Sequence, residues 1–223
     1  DAKAIFEDAG YEFVSDGVNS DATRGITAIE SWVAGGIDAI VIMAQDQTCD
    51  LALKKAMEQG VLVVSASAEI KYYHHWLMQD NYDVGYQTAK MAAEWMGEHY
   101  DGKGQYICIS NNTTPATADK SRGVVEGMAK LLPEGECVGE VILSSTDQVR
   151  ADVDTLLMQY PDVHCIVAMH NAFSLIGLES AKAAGKAVYG EFAVFGSALS
   201  EQVLRELNKA DSCYEGEIWM GDQ

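Results

Sequence analysis

A chain of 223 residues, 48% of them hydrophobic, suffices for one large core or two modest ones, and no apolar run approaches the ~18 residues a membrane-crossing helix needs. Fifteen basic residues stand against 34 acidic ones, and the net charge of -19 repels phosphate backbones and anionic lipid, which argues against nucleic acid as a partner. The chain opens on "DAKAIFEDAG", which reads as the C-terminal half of an amphipathic helix ended by Gly10, so further chain is expected upstream. Strand-like runs follow at 11–16 (YEFVSD), 38–44 (DAIVIMA), 61–66 (VLVVSA), 106–110 (YICIS), 138–145 (VGEVILSS), 164–169 (HCIVAM) and 191–196 (EFAVFG). Between them, helical spacing marks 20–34, 47–59, 82–100, 116–132, 147–159, 171–184 and 199–208.

Strands that alternate with helices of ten or more residues require right-handed crossovers, hence parallel sheets covered on both faces. The apolar, β-branched strands agree with such burial. Ser20 with Asp21, Asp80 with Asn81, and Asp147 are read as helix openings, because their side chains accept backbone N–H bonds; Gly60 and Gly185 stand where helices should stop. A β-α-β-α-β run reaches residue 66 and a longer one starts at 106, with "AEIKYYHHWLMQDNY" between them, in which "HWLMQ" reads as a strand or a crossover. The natural parse is two α/β lobes joined near residues 77–80. The five cysteines are odd in number, widely spaced and without CxxC, so no disulfide framework is expected, and Cys108 and Cys165 read as small core residues.

The ordered series "GIDAIVIMAQD", "KKAMEQGVLVVSASAE", "QDNYDVGYQTAKMAAEWM", "YDGKGQYICIS", "ADKSRGVVEGMAKLL" and "CIVAMHNAFSLIGLESAKAAG" resembles the ribose-binding-protein-like periplasmic binding proteins, the type I solute receptors of ABC transporters, which are related to the effector cores of LacI/GalR repressors. The resemblance spans essentially the whole chain and implies an α/β fold of two Rossmann-like lobes with parallel sheets. Residues 1–79 correspond to an N-terminal lobe lacking its first strand, 80–218 to a C-terminal lobe, and 219–223 to the start of the return crossing at the hinge. The implied function is to clamp a sugar or sugar-like small molecule between lobes that close near Met78–Asp80 and Trp219–Gly221, and to present it to ABC permease subunits. The implied protein is a monomer in the periplasm or outside the cell, as a lipoprotein on a Gram-positive surface. The alternative is the effector-binding core of a LacI/GalR-type regulator; the spelling "DGKGQ" and the acidity favour the receptor.

A clamped sugar needs paired donors and acceptors for its hydroxyls, and apolar or aromatic surface against its ring. The resemblance places these at carboxyl ends of strands: Gln45 and Asp46, Ser67, Asn112, Lys120 and Arg122, His170 and Asn171, Ser197, and Trp219 on the return segment. Several positions depart from the family's pattern. Ser67-Ala68 stands where many sugar binders carry Asp-Arg, Lys120 where they carry Arg, His170-Asn171 where they carry Asn-Asp, and Ser197 where they carry Asp. A weakened carboxylate pair implies a ligand less hydroxyl-rich than a hexose, or one held differently.

Plainer roles stay open for each residue. Asn171 and Asp46 suit helix caps, His170 a half-buried structural histidine, and Trp219 simple packing. Lys120 and Arg122, two apart on a helix, point to different sides, so only one faces a cleft. His74 and His75, adjacent on an extended run, point to opposite faces and make a poor metal pair. No GxSxG, GxxxxGK[ST], HExxH or strand-following GxGxxG occurs, and "GKGQ" precedes a strand instead of opening a helix; neither catalysis nor a cofactor is expected.

Overall fold

The computed structural model describes residues 2–17, 21–43, 47–66 and 70–219. They form two compact units, divided between Gln79 and Asp80. In the first unit α1 (Ala2–Asp8) and α2 (Ala22–Ala34) precede β1 (Ala39–Ile42), α3 (Asp50–Glu58), β2 (Leu62–Ala66) and β3 (His75–Leu77). The three strands are parallel, in the order β1-β2-β3. Alternation places Ile40 and Val63 on the covered side, where they join Ile29, Leu53, Ala56 and Ile70 in a small core. Val41, Leu62 and Leu77 occupy the other side and stay exposed.

In the second unit α4 (Asn81–Tyr100) leads into β4 (Gly104–Ser110), α5 (Pro115–Leu131), β5 (Gly135–Ile142), α6 (Thr146–Gln159), β6 (Val163–Ala168), α7 (Asn171–Ala183), β7 (Ala193–Ser197), α8 (Glu201–Leu207) and β8 (Tyr214–Ile218). All five strands are parallel, in the order β5-β4-β6-β7-β8. The centre of this sheet is apolar on both faces: Ile107, Cys108 and Ile109 on β4, and Cys165, Ile166 and Val167 on β6, are all buried. Gly85 and Gly123 let α4 and α5 touch backbone to backbone. A Cβ on the first would land on the Lys120 carbonyl oxygen, and one on the second on that of Tyr82.

Local chemistry explains the helix ends. Asp21 accepts from Arg24 N, Asp80 from Asp83 N, and Thr114 forms a capping box with Thr117 ahead of Pro115. Gly60 and Gly185 follow their helices with φ of +88° and +71°, the left-handed region that glycine enters without penalty.

Three expectations need correction. Residues 11–16 form no strand: they pair with no strand among the described residues, Tyr11 N donates to the Phe6 carbonyl at 3.0 Å, and Phe13 stacks on Phe6. Helix α6 is capped by Ser145, whose hydroxyl accepts from Gln148 N, while Asp147 lies within the first turn. The cap of α7 is His170, with Asn171 its first helical residue.

Candidate ligand site of the second unit

Strand β4 lies between β5 and β6, so the chain leaves it in one direction and later returns on the other side. In open α/β sheets ligands bind at the carboxyl ends of strands where the winding reverses. Here that point is the pair of tips after Ser110 and Ala168. Ser110 is buried, and its Oγ has no hydrogen-bond partner among the described residues. Asn111 is held just beyond: its N–H donates to Ser121 Oγ at 2.8 Å, and its Oδ1 accepts from Thr113 N at 2.9 Å. Met169 N donates to the Ile109 carbonyl at 3.0 Å, which brings the two tips together.

At the β6 tip, His170 Nδ1 accepts from Ala172 N at 3.2 Å, so the ring's proton resides on Nε2. Burial, reinforced by the charge of Lys120, holds this imidazole below its ordinary pKa, and it is neutral at pH 7. Lys120, on α5, is 5% exposed, and burial pulls its ammonium pKa down against the opposing pull of Glu217. On β8 burial pushes the Glu217 carboxyl up to about 8, more than the Tyr214 hydrogen bond and Lys120 pull it back. The Tyr214 hydroxyl meets Glu217 Oε2, and it lies 2.6 Å from Ser174 Oγ on α7. Glu217 Oε1 is buried and has no hydrogen-bond partner among the described residues. Residues from α5, α7 and β8 thus bring a lysine, a neutral imidazole N–H and a carboxyl to one end of one sheet, a set able to meet hydroxyl groups as donors and as acceptors.

Of the residues named from the sequence, Gln45, Asp46 and Ser67 lie outside the described residues. Lys120 and His170 come together electrostatically, and Asn171 is half-buried beside His170. Ser197, fully buried, donates its hydroxyl to the Met169 carbonyl at 2.7 Å and so fastens the β7 tip to that of β6. Asn112 is exposed on the loop after β4, and Trp219, just past β8, is exposed as well. Arg122 is engaged elsewhere: its exposed guanidinium pairs with Asp119 at 2.9 Å and Glu126 at 3.8 Å and covers the Tyr82 ring. His74 serves structure, since its Nδ1 accepts from Val63 N at 3.0 Å. Among the described residues no three His, Cys, Asp or Glu side chains could hold a metal ion.

Sequence reasoning missed Ser110, Ser174, Tyr214 and Glu217. The available signal was "YEGE", in which a glycine lies between two acidic residues next to an aromatic one; its polar letters hid a strand.

Comparisons with known proteins place the chain, as a whole, in a family. Residues 1–216 match the periplasmic binding protein domain family. The D-ribose/D-allose-binding protein of Pseudomonas aeruginosa is 22% identical over 193 residues, covering 79% of this chain; the chain spans 58% of that relative's length. The 5-methylthioribose transporter solute-binding protein of Thermotoga lettingae superposes with a TM-score of 0.72 at 17% identity, over 96% of this chain and 67% of that one. An ABC transporter solute-binding protein from Agrobacterium vitis with bound allitol gives a TM-score of 0.71 at 17% identity, over 98% of this chain and 76% of that one. The chain therefore belongs to the periplasmic binding protein domain family, of the ribose-binding-protein-like kind.

Proposed function

We propose that this chain is the ligand-binding part of an extracytoplasmic solute receptor that takes up a sugar, polyol or related small molecule and hands it to an ABC permease, with no chemistry of its own. The observation that carries the reading is the gathering of Lys120, His170 and Glu217 at the carboxyl end of the five-stranded sheet, at and beside its reversal point. The set offers few charges and several neutral donors and acceptors, which suits hydroxyl-bearing guests better than phosphates or nucleotides. Supporting it, the relatives include proteins named for D-ribose, D-allose, 5-methylthioribose and allitol. In this reading the units 1–79 and 80–218 are the two lobes, the hinge runs through Met78–Asp80 and through Trp219–Gly221, of which Met220 and Gly221 lie outside the described residues, and ligand favours the closed arrangement that a permease recognises.

A thermal-shift screen with D-ribose, D-allose, allitol, myo-inositol and 5-methylthioribose tests it. A guest present at 100 times its Kd stabilises the native state by about 2.7 kcal/mol. Stabilisation by one or more of these compounds is expected, and its loss in a His170→Ala, Asn171→Ala double variant. Equal stabilisation of the double variant by the same compound would remove the site from these residues.

A further inference from the structure

Three oxygen-to-oxygen contacts run in series through the core of the second unit: Glu217 Oε2 to the Tyr214 hydroxyl, that hydroxyl to Ser174 Oγ at 2.6 Å, and Ser174 Oγ to the Asn171 carbonyl at 2.9 Å. Each contact needs one proton to be a hydrogen bond, and serine and tyrosine supply one each. With an ionised Glu217, Tyr214 donates to the carboxylate. Ser174 then donates either to Tyr214 or to Asn171, and the remaining contact sets lone pair against lone pair. A proton on Glu217 supplies the third, and all three contacts become hydrogen bonds pointing the same way.

We propose that Glu217 is a positioning residue, protonated at neutral pH, whose proton completes a directed chain from Glu217 through Tyr214 and Ser174 to the Asn171 carbonyl, tying the first turn of α7 to strand β8. Space for the chain is made by Gly196, because a Cβ there would lie 2.6 to 2.7 Å from Ser174 Oγ, Glu217 Oε2 and the Tyr214 hydroxyl together. Ser174 and Tyr214 are both buried, so water does not compete for their bonds. Burial also raises the Glu217 carboxyl, in agreement with the proton count. The titratable groups that act on it are Tyr214 on its own strand and Lys120 on α5; from α7 the Ser174 hydroxyl meets Tyr214, and on β7 Gly196 lies beside all three. His99 on α4 couples to Glu215, and the charges Lys182 and Asp211 couple to Cys213.

The consequence for ligand rests on the proposed function: the chain holds His170 and Asn171 at a fixed height above the sheet, so that their ligand-facing groups are set before a guest arrives.

Isotope-edited infrared spectroscopy of the full chain, with labelled glutamate carboxyls and no ligand, reads the proton directly. A protonated-carboxyl band is expected at pH 7, absent from Glu217→Gln and converting to carboxylate near pH 8. Absence of that band from the wild-type spectrum overturns the proposal. Thermal melting gives a second reading. A carboxyl whose folded pKa lies above the ordinary 4.5 favours the folded state at low pH, and the wild type therefore loses stability relative to Glu217→Gln as pH rises from about 4.5 to about 8, then runs parallel to it. Parallel curves across the whole range overturn it too. The ligand consequence is read with D-allose, D-ribose and allitol: a probe that binds the wild type should bind Tyr214→Phe about tenfold more weakly, the loss expected for one well-placed hydrogen bond. An infrared titration without binding of any probe upholds the proton chain and counts against the sugar reading alone.

Discussion

Gly196 and Glu217 are direct partners across β7 and β8, and the glycine's missing side chain is the room the glutamate's carboxyl and the Tyr214 hydroxyl occupy. Replacing Gly196 by alanine forces three buried polar groups apart at once. A loss of about 1–3 kcal/mol is expected, the usual range for overpacking a buried site. Denaturant titration checks it, and a midpoint unchanged from wild type would show that the triad yields freely.

The contact between α4 and α5 makes a sharper test, since its obstacles are backbone atoms that cannot rotate away. Gly85→Ala and Gly123→Ala should each destabilise by more than about 2 kcal/mol. Gly97, in the same helix α4, has nothing within 4 Å of its would-be Cβ, and Gly97→Ala should stabilise by about 0.5–1 kcal/mol. The opposite signs within one helix separate packing from intrinsic propensity.

Lys120 lowers the proton affinity of both of its neighbours. Lys120→Met should therefore raise the pKa of the His170 ring and raise that of Glu217 further above its wild-type position. Histidine ring signals followed by NMR across pH 5 to 8 report the first. A His170 titration that does not move in this variant would mean that the two groups do not share a site.

Helix α6 offers a test of cap against first-turn charge. Ser145→Ala should cost about 1 kcal/mol, because its hydroxyl satisfies Gln148 N–H, whereas Asp147→Ala should cost only a few tenths through the helix dipole. Equal losses from the two variants would return the cap to Asp147.

Ala198, immediately after β7, has φ of 76° while its N–H donates to the Ile218 carbonyl at 3.1 Å. A non-glycine residue in that region carries roughly 1–2 kcal/mol of backbone strain. Ala198→Gly should recover part of it as a higher melting temperature, offset by glycine's larger entropy loss.

The second unit was readable because its central strands are buried on both sides. "YICIS" and "HCIVAM" are unbroken apolar runs, which only a doubly covered strand tolerates. Strand β5 was placed three residues late, since as an edge strand it sets exposed Glu136, Cys137 and Glu140 beside a single buried position, Val141. Strand β8 went unread for a related reason: its sequence, YEGEI, contains two glutamates, and no local pattern says that one of them is paired with a tyrosine and a serine brought in by other elements. At the site, His170 stands out as a polar residue just past a strand tip, whereas Lys120, in the second turn of α5, was named only through the family resemblance. Helical spacing already set Arg122 apart from Lys120, because two residues along a helix turn a side chain toward a different neighbour set, here Asp119, Glu126 and Tyr82.

The edge position of β5 bears on how the protein survives at high concentration. An outermost strand leaves a row of amide and carbonyl groups open to any passing chain, the usual seed of edge-to-edge polymerisation. Along β5 that row is broken by a register shift opposite Tyr106 and Ile107 and flanked by Glu136 and Glu140. A second copy approaching the rim would meet a kinked ladder and like charge, so the same glutamates that made the strand hard to read disfavour edge-to-edge pairing there.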